Sequence, residues 1–238
     1  MLNRFRFRAI PFVATVLLVT LGVSLGQWQD RRAAQKIAVQ AKLAERAVQS
    51  AFVIGPKLLD REELAYRPVS VAGEFLQDWP LFLDNRPQQG KVGFYLLMPF
   101  KIAGSNTHVL VARGWLPRYT GEHDRLPEFA TPTGTIIVSG IAKSSMGKVM
   151  QLGDPATVKP KAILQNLTPD QFAEASKLTV QPFFIEQTGP PAGDQLVRDW
   201  PAPTLGVDKH RAYAFQWYAL AAMALIFFVV TGFRRGTK

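Results

Sequence analysis

Two uncharged runs near the ends of the chain constrain its fold more than any other feature. Residues 9–28, "AIPFVATVLLVTLGVSLGQW", and 212–233, "AYAFQWYALAAMALIFFVVTGF", contain no Asp, Glu, Lys or Arg. At about 1.5 Å per residue, twenty helical residues reach ~30 Å, the thickness of a bilayer core. Both runs predict transmembrane helices, with residues 29–211 as a domain between them. Pro11 falls in the first turn of its run, where a missing N–H does little harm.

Charge suggests the orientation. The net charge is +10, from 28 Lys and Arg against 18 Asp and Glu. Six of the cations (Arg4, Arg6, Arg8, Arg234, Arg235 and Lys238) lie outside the two runs, leaving 22 against all 18 acids in residues 30–211. The excess is therefore concentrated where the positive-inside rule reads it. Residues 1–8 and 234–238 are expected in the cytoplasm or matrix, and residues 29–211 in the periplasm or intermembrane space. The same distribution, with no RNA-binding aromatic motif or zinc-finger spacing, argues against nucleic acid as a partner and for membrane lipid.

Residues 1–28 also fit a cleaved signal peptide, with Ser24-Leu25-Gly26 as a weak cleavage site; the length of the run favours a retained anchor. "GVSLG" is formally a nucleophile elbow, but it lies inside an apolar span with no strand before it. As G-x-x-x-G it puts Gly22 and Gly26 on one helix face, where a second helix can approach. Ala214, Ala221, Ala222 and Ala224 are small partners in the second span.

The chain has no cysteine, which excludes disulfides, Cys-ligated zinc, iron–sulfur clusters and dithiol chemistry. Residues 30–50 lack Pro and Gly and predict a helix continuing from the first span. Beyond them the period becomes two. Val69, Val71, Gly73 and Phe75 share one strand face, and residues 80–86, 92–100, 107–116, 134–142 and 181–188 read as further strands separated by turns. The gaps are mostly too short for helical crossovers, so the sheet is expected to be mainly antiparallel. Thr168, Pro169 and Gln171 predict a short capped helix with Phe172 and Ala175 facing the sheet. Asn166-Leu167-Thr168 is formally a glycosylation sequon, which capping explains without sugar. Residues 189–206 read as an ordered loop. The fold class is thus membrane α+β: two transmembrane helices flanking a mainly antiparallel β domain with a short helix.

No H-E-x-x-H, phosphate loop or dinucleotide fingerprint is present. His108 lies in a strand and reads as structural, and His123-Asp124 lies in a charged loop. Arg113 and Trp115 follow an alternating strand and are expected to be structural, with Trp115 on the face of Val109, Val111 and Arg113. An enzyme is the less economical reading, although carboxylates such as Asp84 and Glu74 could be paired by folding.

The mouth of the second span is unusual. His210, Tyr213 and Trp217 fall at i, i+3 and i+7 on one helical face. Gln216 sits about a turn inside the apolar run and wants a partner, for which Gln27, Trp28 and Gln29 lie at the same depth. Interface anchoring explains Tyr213 and Trp217 economically. The alternative is a large, flat, amphiphilic ligand such as haem. Imidazole would ligate its iron, aromatic rings would flank it, and Arg31, Arg32, Lys209 and Arg211 would meet its propionates. From chemistry alone, anchoring is the simpler reading.

"LGQWQ" (25–29), "YRPVSVAGEF" (66–75), "DNRPQQGKVGFYLLMPF" (84–100), "VLVARGWLP" (109–117) and "DKHRAYAFQWYALA" (208–221) resemble the signature blocks of the surfeit locus protein 1 family of cytochrome c oxidase assembly factors, called Shy-type in yeast. The resemblance implies a non-enzymatic chaperone that binds haem a and assists its insertion into the oxidase's catalytic subunit. It implies His210 as ligand to haem iron, with Tyr213, Gln216, Trp217, Arg211 and Trp28 around the cofactor. Haem a synthesis enzymes are further possible partners. Expected location is the bacterial inner membrane, both termini cytoplasmic and the domain periplasmic; the mitochondrial inner membrane is the alternative. The absence of a long presequence favours a bacterium. A cofactor-free scaffold for oxidase intermediates and a membrane hydrolase or transferase are competing expectations.

Overall fold

A computed structural model describes residues 7–119, 121, 125–151, 153–189, 193–201 and 206–233. Arg4, Arg6, His123-Asp124, Arg234, Arg235 and Lys238 lie outside the described residues, as do parts of the 189–206 loop. The chain divides into two units, Met1–Leu43 with Ala202–Lys238, and Ala44–Pro201.

The first unit is a pair of long helices. Helix α1 runs Ala9–Ala47 without interruption, because residues 30–47 hold neither Pro nor Gly to break it. It ends three residues before the expected limit of 50. Helix α4 runs Val207–Phe233. Both are long and apolar enough to cross a membrane. Exposed Ile10, Leu17, Phe215, Leu225 and Phe227 coat them with the apolar surface that lipid requires.

The second unit is β-rich. Its elements are β1 (Phe52–Val53), α2 (Arg61–Leu64), β2 (Pro68–Phe75), β3 (Leu81–Leu83), β4 (Gly93–Ile102), β5 (Thr107–Pro117), β6 (Ile136–Lys143), β7 (Ile163–Leu164), α3 (Pro169–Ser176) and β8 (Thr179–Gln187). The alternation read from residues 69–75 holds: Val69, Val71, Gly73 and Phe75 are buried while Ala72 and Glu74 are exposed. The two-residue strands β1 and β7 are too short to show a period.

Strand pairing closes a barrel. The order is β1-β2-β6-β8-β5-β4-β3-β7, and β2 also pairs with β4. Strands β6, β2, β4 and β5 thus lie in the spatial order of a Greek key, all antiparallel. Strand β8 completes the circuit, antiparallel to β6 and parallel to β5. Gly73 stands at the β2–β4 seam, where a Cβ would lie 2.0 Å from the Lys101 carbonyl oxygen. Closure there requires a residue without a side chain.

The barrel sheet has a core on each side. Val69, Val71, Phe94, Leu96, Met98, Phe100, Val109, Val111 and Ile185 form one cluster, the barrel interior. Leu81, Tyr95, Leu97, Leu110, Ala112, Trp115 and Phe184 form the other with Phe172 of α3. Helix α3 has the expected capping box of Thr168 and Gln171. Phe172 is fully buried, but Ala175 is exposed. The helix seats Pro169 and Phe172, three residues apart, and ends too soon for a wider contact stripe.

One parity expectation fails for a physical reason. Along β5 the register slips: Gly114 pairs with Leu96 while Ala112 pairs with Leu97. Arg113 is the extra residue of this bulge, and a bulge reverses the alternation beyond it. Trp115 therefore joins Leu110 and Ala112 rather than Val109 and Val111.

Candidate functional site

Small residues let α1 and α4 approach. Gly22 and Gly26 are buried in α1, and Ala214 and Ala221 in α4. A Cβ on Gly22 would lie 3.0 Å from both the Ala221 Cβ and the Trp217 carbonyl oxygen, and one on Gly26 would lie 2.5 Å from the Tyr218 ring. Of the four alanines foreseen as partners, Ala221 meets Gly22, Ala214 is buried, Ala224 is half-buried and Ala222 is exposed.

Two polar contacts join the helices above this seam. His210 Nδ1 lies 2.7 Å from Gln29 Oε1, and the Tyr218 hydroxyl donates to Asp30 Oδ2 at 2.8 Å. On a helix, His210, Ala214, Tyr218 and Ala221 follow at i, i+4, i+8 and i+11, a single stripe. His210 and Gln29 are both half-buried. The contact face of α4 is thus the i+4 row from His210, not only the i+3/i+7 row that the aromatic pattern suggests.

The other anticipated residues surround this seam. Trp217 is half-buried, Tyr213 is 53% exposed and Trp28 is 44% exposed. Arg32 lies 5.7 Å from the centroid of the Trp28 ring. Arg31, Lys209 and Arg211 are exposed. Gln216 is also exposed, roughly 120° round the helix from His210. Gln29, one of the partners foreseen for Gln216, bonds His210 instead. Asp30 and Tyr218 are the functional candidates that sequence reasoning missed. Their signals were the Gly26 gap, which admits a ring, and an acid directly after Gln29.

A second concentration of charge lies inside the barrel unit. Arg113 and Asp194 are 1% and 4% exposed. Arg113 donates to Asp194 Oδ2 at 3.3 Å, to Thr131 Oγ1 at 2.7 Å and to the Ala130 carbonyl at 2.9 Å. Its guanidinium also lies 4.7 Å from the centroid of the Phe75 ring, and Asp194 is paired with Arg198. Burial pulls the Arg113 pKa down to about 10, against the opposing pull of Asp194. Together with backbone bonds between Trp115 and Val197, the cluster ties two loops to β5. This is architecture: neither charge is open to a ligand. Among the described residues, no three His, Cys, Asp or Glu side chains converge as a metal site.

The chain matches the SURF1 family over residues 16–222, from within α1 to within α4. It belongs to the SURF1 family. The matched segment includes both sides of the helix seam, from Gly22 to Asp30 and from His210 to Ala221. A SURF1-like protein of Rickettsia felis is 24% identical over 227 residues, covering 92% of this chain and 95% of that protein. Surfeit locus protein 1 of Rattus norvegicus is 23% identical over 218 residues, covering 83% of this chain and 68% of that protein. The cytochrome oxidase assembly protein SHY1 of Saccharomyces cerevisiae is 31% identical over 96 residues, covering 39% of this chain and 24% of that protein.

Proposed function

We propose that this SURF1-family chain is a non-enzymatic assembly factor for cytochrome c oxidase, holding haem a as cargo at the outer mouth of α1 and α4 for the oxidase's catalytic subunit. The observation that carries the reading is His210, hydrogen-bonded to Gln29 above a seam packed by Gly22, Gly26, Ala221 and the Tyr218 ring. A membrane anchor needs no such pair. The name of the yeast relative supports the oxidase as client.

The donor chemistry fits haem. With no group of three His, Cys, Asp or Glu side chains among the described residues, iron held at His210 would bring most of its ligands with it, as a porphyrin does. His210 would supply an axial imidazole. Trp217, Tyr213 and Trp28 offer aromatic surface, and exposed Arg31, Arg32, Lys209 and Arg211 would meet propionates. Gln216 lies roughly 120° round α4 from His210. The cargo's iron centre is what the oxidase gains; this chain's part is to ligate, shield and release it.

The test is the absorbance spectrum of full-length protein purified from cells that make haem a. Wild type should carry bound haem. His210→Ala should insert normally, because the apolar span is intact, but lose or alter that spectrum and leave oxidase haem sites poorly filled. Unchanged haem content and spectrum in His210→Ala would replace ligation by interface anchoring. A haem-free wild type that still supports assembly would make the protein a scaffold.

The reading also places the domain on the outer side of a bacterial inner membrane and both termini in the cytoplasm, on the strength of the terminal cations. An alkaline phosphatase fused near Gly121 should be active and one fused after Lys238 inactive; the reverse would put the proposed site on the wrong side.

A further inference from the structure

We propose that Gln29 is a positioning residue: it accepts the Nδ1 proton of His210, fixes that tautomer, and leaves Nε2 as the donor atom for a metal. This deepens the reading of His210 as an iron ligand and rests on it. The 2.7 Å contact is made by Nδ1 and by the side-chain oxygen of Gln29. An amide oxygen has only lone pairs to offer, so Nδ1 must bring the hydrogen. A neutral imidazole has one N–H, and the remaining lone pair is then on Nε2. A metal-binding imidazole commonly has its other nitrogen held in this way. The opposite arrangement, with the amide nitrogen donating to Nδ1 and the ring proton on Nε2, would close the ligating atom.

The choice of a neutral acceptor also has a consequence. A carboxylate partner would polarise the imidazole and raise its basicity towards metal. Glutamine orients the ring without adding a charge, so the bond to iron stays weaker. That suits cargo to be handed on better than a group to be kept. The reach is specific as well: asparagine is one methylene shorter and would not span the same gap between helices.

The experiment uses full-length, haem-free protein in detergent micelles with ring-15N histidine. The protein has three histidines, and difference spectra against His210→Ala identify the relevant signals. At a pH near 9, well above the usual imidazole range, wild type should show a protonated, pyrrole-type Nδ1 and an unprotonated, pyridine-type Nε2. Gln29→Glu should keep this pattern, whereas Gln29→Leu and Gln29→Asn should move the proton towards Nε2. A protonated Nε2 in wild type, or no change in the folded variants that lack the bond, overturns the assignment. In a parallel haem titration, Gln29→Leu and Gln29→Asn should bind roughly 10–100-fold more weakly, and Gln29→Glu at least as tightly as wild type. Unchanged affinity despite a changed tautomer overturns the positioning role. Failure of wild type to bind haem defeats the proposed cargo, while the nitrogen signals still decide the tautomer.

Discussion

The ring of Tyr218 occupies the space that a side chain at position 26 would fill. A Cβ on Gly26 would sit 2.5 Å from Tyr218 Cε1, well inside van der Waals contact. The absence of a side chain on one helix is therefore what admits an aromatic ring on the other, and the ring carries the hydroxyl that reaches Asp30.

Gly26→Val should force these helices apart. Overpacking of a tight contact costs about 1–3 kcal/mol, and both interhelical hydrogen bonds should weaken with it. The check is thermal unfolding of the full chain in detergent alongside the His210 ring-nitrogen spectrum. A stable variant with an unchanged His210 signal would show that this seam does not hold the ligand in place.

Tyr218→Phe keeps the ring and deletes the hydroxyl. Interhelical polar contacts in membrane proteins are worth about 0.6 kcal/mol on average and up to about 1.7. A double-mutant cycle with Asp30→Ala should return a coupling in that range. Additive effects of the two substitutions would mean that the Tyr218–Asp30 bond contributes nothing.

Arg113→Met should destabilise the barrel unit by roughly 3–5 kcal/mol, the usual result of removing one partner of a buried ion pair. The remaining pairing of Asp194 with Arg198 pulls the expected value to the lower end. Trp115→Ala should cost about 3–5 kcal/mol as well, since its buried indole also donates to the Arg86 carbonyl at 2.7 Å. Denaturant unfolding followed by fluorescence measures the first; circular dichroism suits the second, which deletes a fluorophore. Near-wild-type stability with failed oxidase assembly would move either residue from architecture to partner docking.

His108 should give the unit an acid-sensitive component of stability. Burial is the largest influence and lowers its pKa, with Lys101 acting in the same direction and a backbone hydrogen bond to Thr179 opposing. The folded pKa is below the unfolded value of about 6.5, so the unfolded chain takes up the proton first. The contribution is complete above about pH 6.5 and is lost as pH falls through the folded pKa. Glu186 works in the opposite sense. Its pKa is raised by burial against the attraction of Lys143, so its contribution falls as pH rises from the ordinary carboxylate range through its folded pKa. Comparing denaturation midpoints of wild type and His108→Gln between about pH 7 and pH 5 isolates the histidine. Equal slopes would remove His108 as the source.

Much of this protein follows from local pattern. Twenty uncharged residues specify a spanning helix because an apolar bilayer penalises charge. Alternation at Val69, Val71 and Phe75 specifies a strand because a pleated chain has period two. Thr168 and Gln171 specify a helix start because their side chains satisfy adjacent backbone N–H groups. The tertiary structure decided what depends on register between distant segments. Arg113 became a bulge because β4 and β5 pair out of step there, and that slip moved Trp115 to the other core. The barrel closes because Gly73 lets β2 meet β4. Gln29 met His210, rather than Gln216, because the rotation of α4 is set by the fit of Ala221 against Gly22 and of Tyr218 against Gly26. A helical sequence tells which residues share a face; only packing against a second helix decides which face turns inward.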